Sequence, residues 1–116
     1  MGTIIIMENG KARYYGLGAQ ARMTIGRATA QNAPDIPLTS PIAGRNHGEF
    51  VYISNQWFYC DKGSRNGTFY NGKKINAGLN GRVRPVMLQD GDVLRIDYDD
   101  LNTPDSRGVK ITFVAK

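Results

Sequence analysis

Short apolar segments recur along this chain at intervals of roughly ten residues, and glycine, proline, asparagine and aspartate gather between them. No segment keeps a helical apolar period of about 3.6 residues over three turns, and several are rich in β-branched and aromatic residues. The pattern predicts an all-β sandwich or barrel. The predicted strands are residues 3–7, 12–17, 23–27, 48–53, 56–61, 68–70, 82–87, 93–97 and 109–115.

Turn-forming residues separate the predicted strands. Asn71-Gly72 lies between residues 68–70 and 73–75, and it predicts a type I′ hairpin because both central residues of that turn need positive φ. Further turns are predicted at residues 8–10, Ser54-Asn55, Asp90-Gly91 and residues 102–105.

The size and composition of the chain predict one globular domain. Its 116 residues, taken as the single domain 1–116, bury roughly two-thirds of the unfolded surface. The apolar fraction of 41% and the charged fraction of 22% are ordinary for such a domain. The apolar run at residues 4–7 is too short for a signal peptide or a membrane span, so no membrane association is expected. The single cysteine, Cys60, cannot form an internal disulfide, and a cytoplasmic location is expected.

The formal net charge is +5, which favours an acidic partner. A phosphopeptide, a nucleic acid and an acidic membrane surface all satisfy this condition. Charge alone does not choose between them.

Three segments gather glycine and polar residues where a sandwich presents its loops. They are Gly26-Arg27 at the end of an apolar strand, residues 43–47, and residues 64–68 with Asn71-Gly72 shortly after. Because the strands of a sandwich are mainly scaffold, function is expected where such loops cluster at one end.

Taken in order, these segments resemble the forkhead-associated (FHA) domain. That family has Gly-Arg, then a Ser-Arg-x-His-like element, and then Asn-Gly-Thr with Asn-Gly shortly after. The corresponding residues here are Gly26-Arg27, 44–47, 66–68 and Asn71-Gly72, and residues 88–96 resemble the late turn and strand of the family. The resemblance implies an FHA-type β-sandwich of two mainly antiparallel sheets with about eleven strands. Its loops at one end would bind phosphothreonine in an extended peptide.

Six residues are predicted to contact the phosphopeptide: Arg27, Gly44, Arg45, Ser64, Arg65 and Asn66. A phosphate offers three acceptor oxygens, and the planar guanidinium of Arg27 is the first choice to bind two of them. Arg45 and Arg65 are predicted either to bind the same anion or only to raise the local potential. Asn66 resembles the family asparagine that holds the backbone of the bound peptide; the alternative is a turn residue before Gly67.

Four further residues are predicted to support the site: Gly26, His47, Gly67 and Thr68. A lone histidine lacks the ligand count of a metal site, and the family counterpart of His47 ties the phosphate-binding loop together through ring hydrogen bonds. The hydroxyls of Ser64 and Thr68 are expected to brace the loops rather than act as nucleophiles, although Ser64 could also reach the phosphate. No catalytic residue, metal or cofactor is predicted.

The chain departs from the family pattern at Gly44, where the family usually places a serine that hydrogen-bonds the phosphate. Loss of one hydrogen bond to a charged group lowers affinity by roughly tenfold or more. The backbone amide of Gly44 is expected to substitute in part, because a residue without Cβ lets the chain approach an anion closely. Ser40 is a second candidate replacement, which the following Pro41 disfavours.

Three other functions stay open. Gly44 favours a phosphate-independent protein-interaction module on the same scaffold. Nucleic-acid binding would use Arg82, Arg84, Arg95 and Arg107, but the aromatic residues lie in strand-like segments, so no nucleic-acid partner is predicted. An enzyme is least favoured, because no P-loop, paired carboxylates or Ser/His/Asp arrangement is present.

The predicted partner is a phosphothreonine-containing protein or peptide. The module is expected to be monomeric, and it can form part of a larger chain. The cations in residues 62–65 suggest acidic residues beside the phosphothreonine.

Overall fold

A computed structural model describes residues 2–18, 20–75, 85–97 and 107–115. These ranges contain eleven strands and no helix, so none of the described residues belongs to a helix able to cross a lipid bilayer. The strands are β1 (Gly2–Glu8), β2 (Lys11–Leu17), β3 (Arg22–Arg27), β4 (Ile36–Leu38), β5 (Gly48–Ile53), β6 (Gln56–Asp61), β7 (Phe69–Tyr70), β8 (Lys73–Lys74), β9 (Val86–Met87), β10 (Val93–Ile96) and β11 (Val109–Val114).

The strands form two sheets. The six-stranded sheet has the order β2-β1-β11-β10-β7-β8, and the five-stranded sheet has the order β4-β3-β5-β6-β9. Neighbouring strands are antiparallel except β3 and β4, which are parallel. The first and last strands are neighbours, with Thr3 opposite Val114. The predicted sandwich of two mainly antiparallel sheets is confirmed.

Alternation along the strands buries one face of each sheet in a common core. In β1, Ile4 and Ile6 are fully buried. In β6, Trp57 and Tyr59 are buried, and the Tyr59 ring meets that of Phe50 edge to face at 5.2 Å. This two-sided packing gives the loops a rigid base.

The sequence does not predict β4. The strand has only three residues, and Pro37 at its centre cannot donate a hydrogen bond to a strand ladder. It is tolerated because β4 lies at the edge of its sheet, paired only with β3 among the described strands. Of the other predicted elements, residues 82–84 and the turn at residues 102–105 lie outside the described residues.

The hairpin predicted at Asn71-Gly72 is confirmed. Asn71 has φ 47° and Gly72 has φ 89°, as a type I′ turn requires at both central positions. The turn that joins β1 to β2 follows the same rule, with φ 55° at Asn9 and 72° at Gly10.

Three loops meet at one end of the five-stranded sheet. Ile25 of β3 lies opposite Gly48 of β5, and Gly48 lies opposite Asp61 of β6. The end of β3, the start of β5 and the end of β6 therefore lie at the same end of the sheet. All of the predicted site residues lie at or beyond this end.

Candidate functional site

A cavity of about 400 Å³ opens between the loop that precedes β5 and the loop that follows β6. Its lining residues are Arg27, Pro41, Ile42, Ala43, Gly44, Arg65 and Asn66. The structure thus brings together four of the six residues predicted to contact the ligand. The other two, Arg45 and Ser64, do not line this cavity.

Arg27 is the last residue of β3, and both its backbone and its side chain are hydrogen-bonded to the loop that precedes β5. Its amide donates to the carbonyl of Gly44 at 2.8 Å, and its Nε donates to the carbonyl of Ala43 at 3.1 Å. The two terminal guanidinium nitrogens have no partner among the described residues. The planar fork is therefore fixed at its base and free at its tip.

Gly26 lets the loop before β5 cross directly over β3. A Cβ added at this position would lie 2.0 Å from the carbonyl oxygen of Arg45 and 3.0 Å from that of Gly44. Only glycine permits this approach. The predicted supporting role of Gly26 has a physical cause here, because the approach brings Gly44 within hydrogen-bond distance of Arg27.

Asn32 joins two of the loops, and no sequence signal marks it as a site residue. Its Nδ2 donates to the carbonyl of Arg27 at 3.1 Å and to the carbonyl of Arg45 at 2.9 Å. The side chain therefore fixes the backbone of both arginines relative to each other.

His47 occupies the centre of a buried hydrogen-bond network. Gly44 donates its amide hydrogen to Nδ1 at 2.9 Å, so Nε2 carries the ring proton and donates to the Thr68 hydroxyl at 2.9 Å. The Thr68 hydroxyl in turn donates to Asp61 Oδ2 at 2.8 Å. The Tyr59 hydroxyl donates to the Thr68 hydroxyl at 3.2 Å. The predicted role of His47, to tie the loop through its ring nitrogens, agrees with these bonds.

The same network leaves no nucleophile. Burial lowers the pKa of His47 below its usual value, against the opposing charge of Asp61, so the ring stays neutral. A general base would need a free ring nitrogen to accept the hydroxyl proton of Thr68, but Thr68 gives that proton to Asp61. His47 and Thr68 are also fully buried.

Asp61 organises the loop after β6, and the sequence analysis did not identify it. Its Oδ1 accepts the amides of Gly63 and Ser64, both at 2.8 Å, and its Oδ2 accepts the Ser64 hydroxyl at 2.6 Å. An aspartate followed by Gly63 and Ser64 is typical of such a side-chain-capped turn, and this signal was available. Ser64 is buried and donates its hydroxyl proton internally, so it braces the loop instead of facing the cavity.

The amide of Gly44 is already bonded within the protein. Gly44 lines the cavity, but its N–H donates to His47, so the expectation that this amide replaces the missing serine is wrong. The replacement suggested at Ser40 is wrong too, because its hydroxyl is buried and donates to the carbonyl of Arg107. None of the described residues that line the cavity therefore offers it a hydroxyl donor.

The remaining predicted ligand residues are placed differently. Asn66 donates Nδ2 to the carbonyl of Ile42 at 2.9 Å, which joins the two cavity-forming loops, while its Oδ1 accepts nothing from the described residues. Arg65 lines the cavity with an exposed side chain. Arg45 is exposed outside the cavity. Asn66 was alternatively expected to be a turn residue before Gly67, but the residue with a left-handed φ here is Gly67 itself, at 84°.

Comparison with known proteins places this arrangement in a family. The family model described as FHA domain matches residues 23–97. The probable E3 ubiquitin-protein ligase dma1 of Schizosaccharomyces pombe is 29% identical over 79 residues, which cover 65% of this chain and 29% of that protein. The chain therefore spans less than a third of the length of this curated relative.

Two solved structures are similar in fold. Full-length yeast Pml1p has a TM-score of 0.77 at 20% identity, with 98% of this chain and 81% of that chain covered. Mycobacterium tuberculosis EmbR, in complex with a low affinity phosphopeptide, has a TM-score of 0.69 at 25% identity, with 98% of this chain and 24% of that chain covered.

Proposed function

We propose that the loop cavity binds phosphothreonine in an extended segment of a partner protein. This chain belongs to the FHA domain family. The chain would then join its partner only after a kinase has modified that partner. Its activity is recognition, and no catalytic step is involved.

The free tip of the Arg27 guanidinium carries this proposal. Its Nε is held by the carbonyl of Ala43 and the backbone of Arg27 by that of Gly44, so little conformational entropy is lost when the two terminal nitrogens bind an anion. Arg65 adds a second cation to the cavity wall. A phosphate with a charge of about −2 matches two guanidinium groups better than a carboxylate does.

The rest of the cavity suits a peptide rather than a free phosphate. The Oδ1 of Asn66 offers an acceptor for a backbone N–H, and its Nδ2 bond to Ile42 holds that acceptor in place. Pro41, Ile42 and Ala43 supply apolar wall beside the arginines. The methyl group of threonine would pack on this wall, and serine has no such group.

The test is calorimetric titration of one peptide sequence in three forms, selected first from a degenerate phosphothreonine library. The phosphothreonine form is expected to bind, and the unphosphorylated form at least about 100-fold more weakly, because two or more charge-assisted hydrogen bonds are lost. The phosphoserine form is expected to bind about fourfold more weakly for want of one methyl group. Equal binding of the phosphorylated and unphosphorylated forms would overturn the proposal.

Substitution Gly44→Ser is expected to tighten phosphothreonine binding by about tenfold. The three atoms nearest to a Cβ at this position belong to His47 and Ser64 and lie 3.6 Å or more away, so the side chain fits and adds the missing hydroxyl donor. The control is Gly44→Ala, which fits equally well and adds no donor. Equal affinities of the two variants, measured by titration with the same peptide, would show that a hydroxyl here does not reach the phosphate.

A phosphate-independent interaction module is the second candidate. An apolar groove of about 320 Å³ on the five-stranded sheet favours it, with Arg22, Glu49, Val51, Ile53, Phe58, Cys60 and Pro85 in its wall. Binding of a partner that survives phosphatase treatment and is lost on Phe58→Asp would favour this groove over the loop cavity.

A further inference from the structure

Arg45 has a fixed backbone and an uncommitted side chain. Its carbonyl accepts the Asn32 amide at 2.9 Å and lies against Gly26, where no side chain intervenes. Its guanidinium is exposed, has no partner among the described residues and does not line the cavity. The residue next to it, Gly44, does line the cavity. Arg45 therefore presents a cation just beyond the cavity rim.

A peptide anchored in the cavity would pass within reach of this cation. An extended peptide advances by about 3.3 Å per residue. A side chain as long as that of arginine can therefore reach peptide residues up to about two positions before or after the one nearest to it. Arg27 and Arg65 line the cavity itself, whereas Arg45 does not. Arg45 is thus better placed for the residues that flank the phosphothreonine than for the phosphothreonine itself.

The charges around the rim all have one sign among the residues that the structure describes. The exposed side chains there are Arg45, Lys62 and Arg65, and Lys62 is paired with Glu49 on the sheet face. The loop carboxylate, Asp61, is buried and already accepts its hydrogen bonds from the loop. Residues 39–47 and 62–68 present no exposed carboxylate that would repel an acidic ligand or attract a basic one, and the exposed Asp35 in the loop after β3 is bonded to Thr24.

We propose that the site selects phosphothreonine segments with an aspartate, glutamate or second phosphorylated residue within about two positions of the phosphothreonine, and that Arg45 is the residue that reads this flanking charge. The proposal rests on the proposed phosphothreonine binding and adds its specificity. Arg45 accordingly acts on the flank, and Arg27 with Arg65 acts on the phosphate.

The test uses phosphothreonine peptides with acidic, neutral or basic flanks and compares the intact chain with Arg45→Gln by fluorescence anisotropy. For the intact chain, the acidic-flank peptide is expected to bind about fivefold more tightly than the neutral one, as an exposed ion pair permits. In Arg45→Gln this ratio is expected to fall to about one. The matched control is Arg65→Gln, which removes the same charge from the cavity wall and should weaken both peptides alike, with the ratio retained.

Each outcome separates this inference from the proposed function. An intact chain that binds neutral-flank and acidic-flank phosphopeptides equally, or an Arg45→Gln variant that keeps the acidic preference, overturns the assignment of Arg45 and leaves phosphothreonine binding in place. A chain that does not distinguish phosphorylated from unphosphorylated neutral peptide overturns both. Raising the salt concentration should shrink the acidic advantage, since exposed charge pairs are screened.

Discussion

Substitution Arg27→Ala is expected to weaken phosphothreonine binding by at least about 100-fold, which would leave no measurable binding of a peptide with micromolar affinity. Two charge-assisted hydrogen bonds to the phosphate would be lost together. The loop would also lose the Nε bond that holds the carbonyl of Ala43. Calorimetric titration against the best phosphothreonine peptide measures the effect.

Two further variants decide what this loss means. Arg22→Ala removes the same charge from the opposite end of the same strand, where Arg22 is paired with Glu49, and should change affinity by less than about threefold. Arg27→Lys keeps the charge but lacks the planar fork, so it should recover only part of the affinity. Should Arg22→Ala weaken binding as much as Arg27→Ala, the overall charge of the chain would account for binding, and the assignment of Arg27 would fail.

Substitution Gly26→Ala is expected to have the second large effect, a loss of stability of about 3 kcal/mol together with loss of phosphopeptide binding. The added Cβ would lie 2.0 Å from the carbonyl oxygen of Arg45, and a backbone atom cannot rotate away as a side chain can. The loop must lift off β3, which breaks the Arg27 amide bond to Gly44. Thermal unfolding should show a Tm lowered by roughly 10 °C.

The matched control is Gly16→Ala in β2. A Cβ at Gly16 has nothing within 4 Å, so the same substitution should change stability by less than about 0.5 kcal/mol and leave binding intact. If both variants were equally stable, the close approach of the loop to β3 would not be needed for the fold.

The fold could be predicted largely because its information is local. Asn71-Gly72 sets a hairpin by its positive φ values, and alternating apolar residues set the buried face of strands such as β1 and β6. The strand β4 escaped prediction because three residues around Pro37 have no period to detect. Its pairing with β3 is a tertiary contact that local sequence pattern does not encode.

The candidate site was predicted less completely, because the spacing of residues along the sequence does not show which groups will be hydrogen-bonded to each other. Arg27 and Asn66 were predicted by resemblance and Arg65 by its charge and its place in a polar loop, and all three line one cavity. The partner of the Gly44 amide could not be read from the sequence, because it depends on which way a backbone group points in the folded loop. The hydrogen bonds of Asn32 to the carbonyls of Arg27 and Arg45 could not be predicted for the same reason.

The pairing of Thr3 with Val114 has a practical meaning for how the domain can be tethered. Gly2 lies against Trp57 at the start of β6, whereas the cavity lies beyond Asp61 at the other end of that strand. β1 therefore begins, and β11 ends, on the side of the sandwich remote from the cavity. A fluorophore, a sensor surface or a neighbouring polypeptide joined to either outer end of these two strands would leave the loop cavity facing outwards. Two such domains on one scaffold could then bind a doubly phosphorylated partner at high effective concentration.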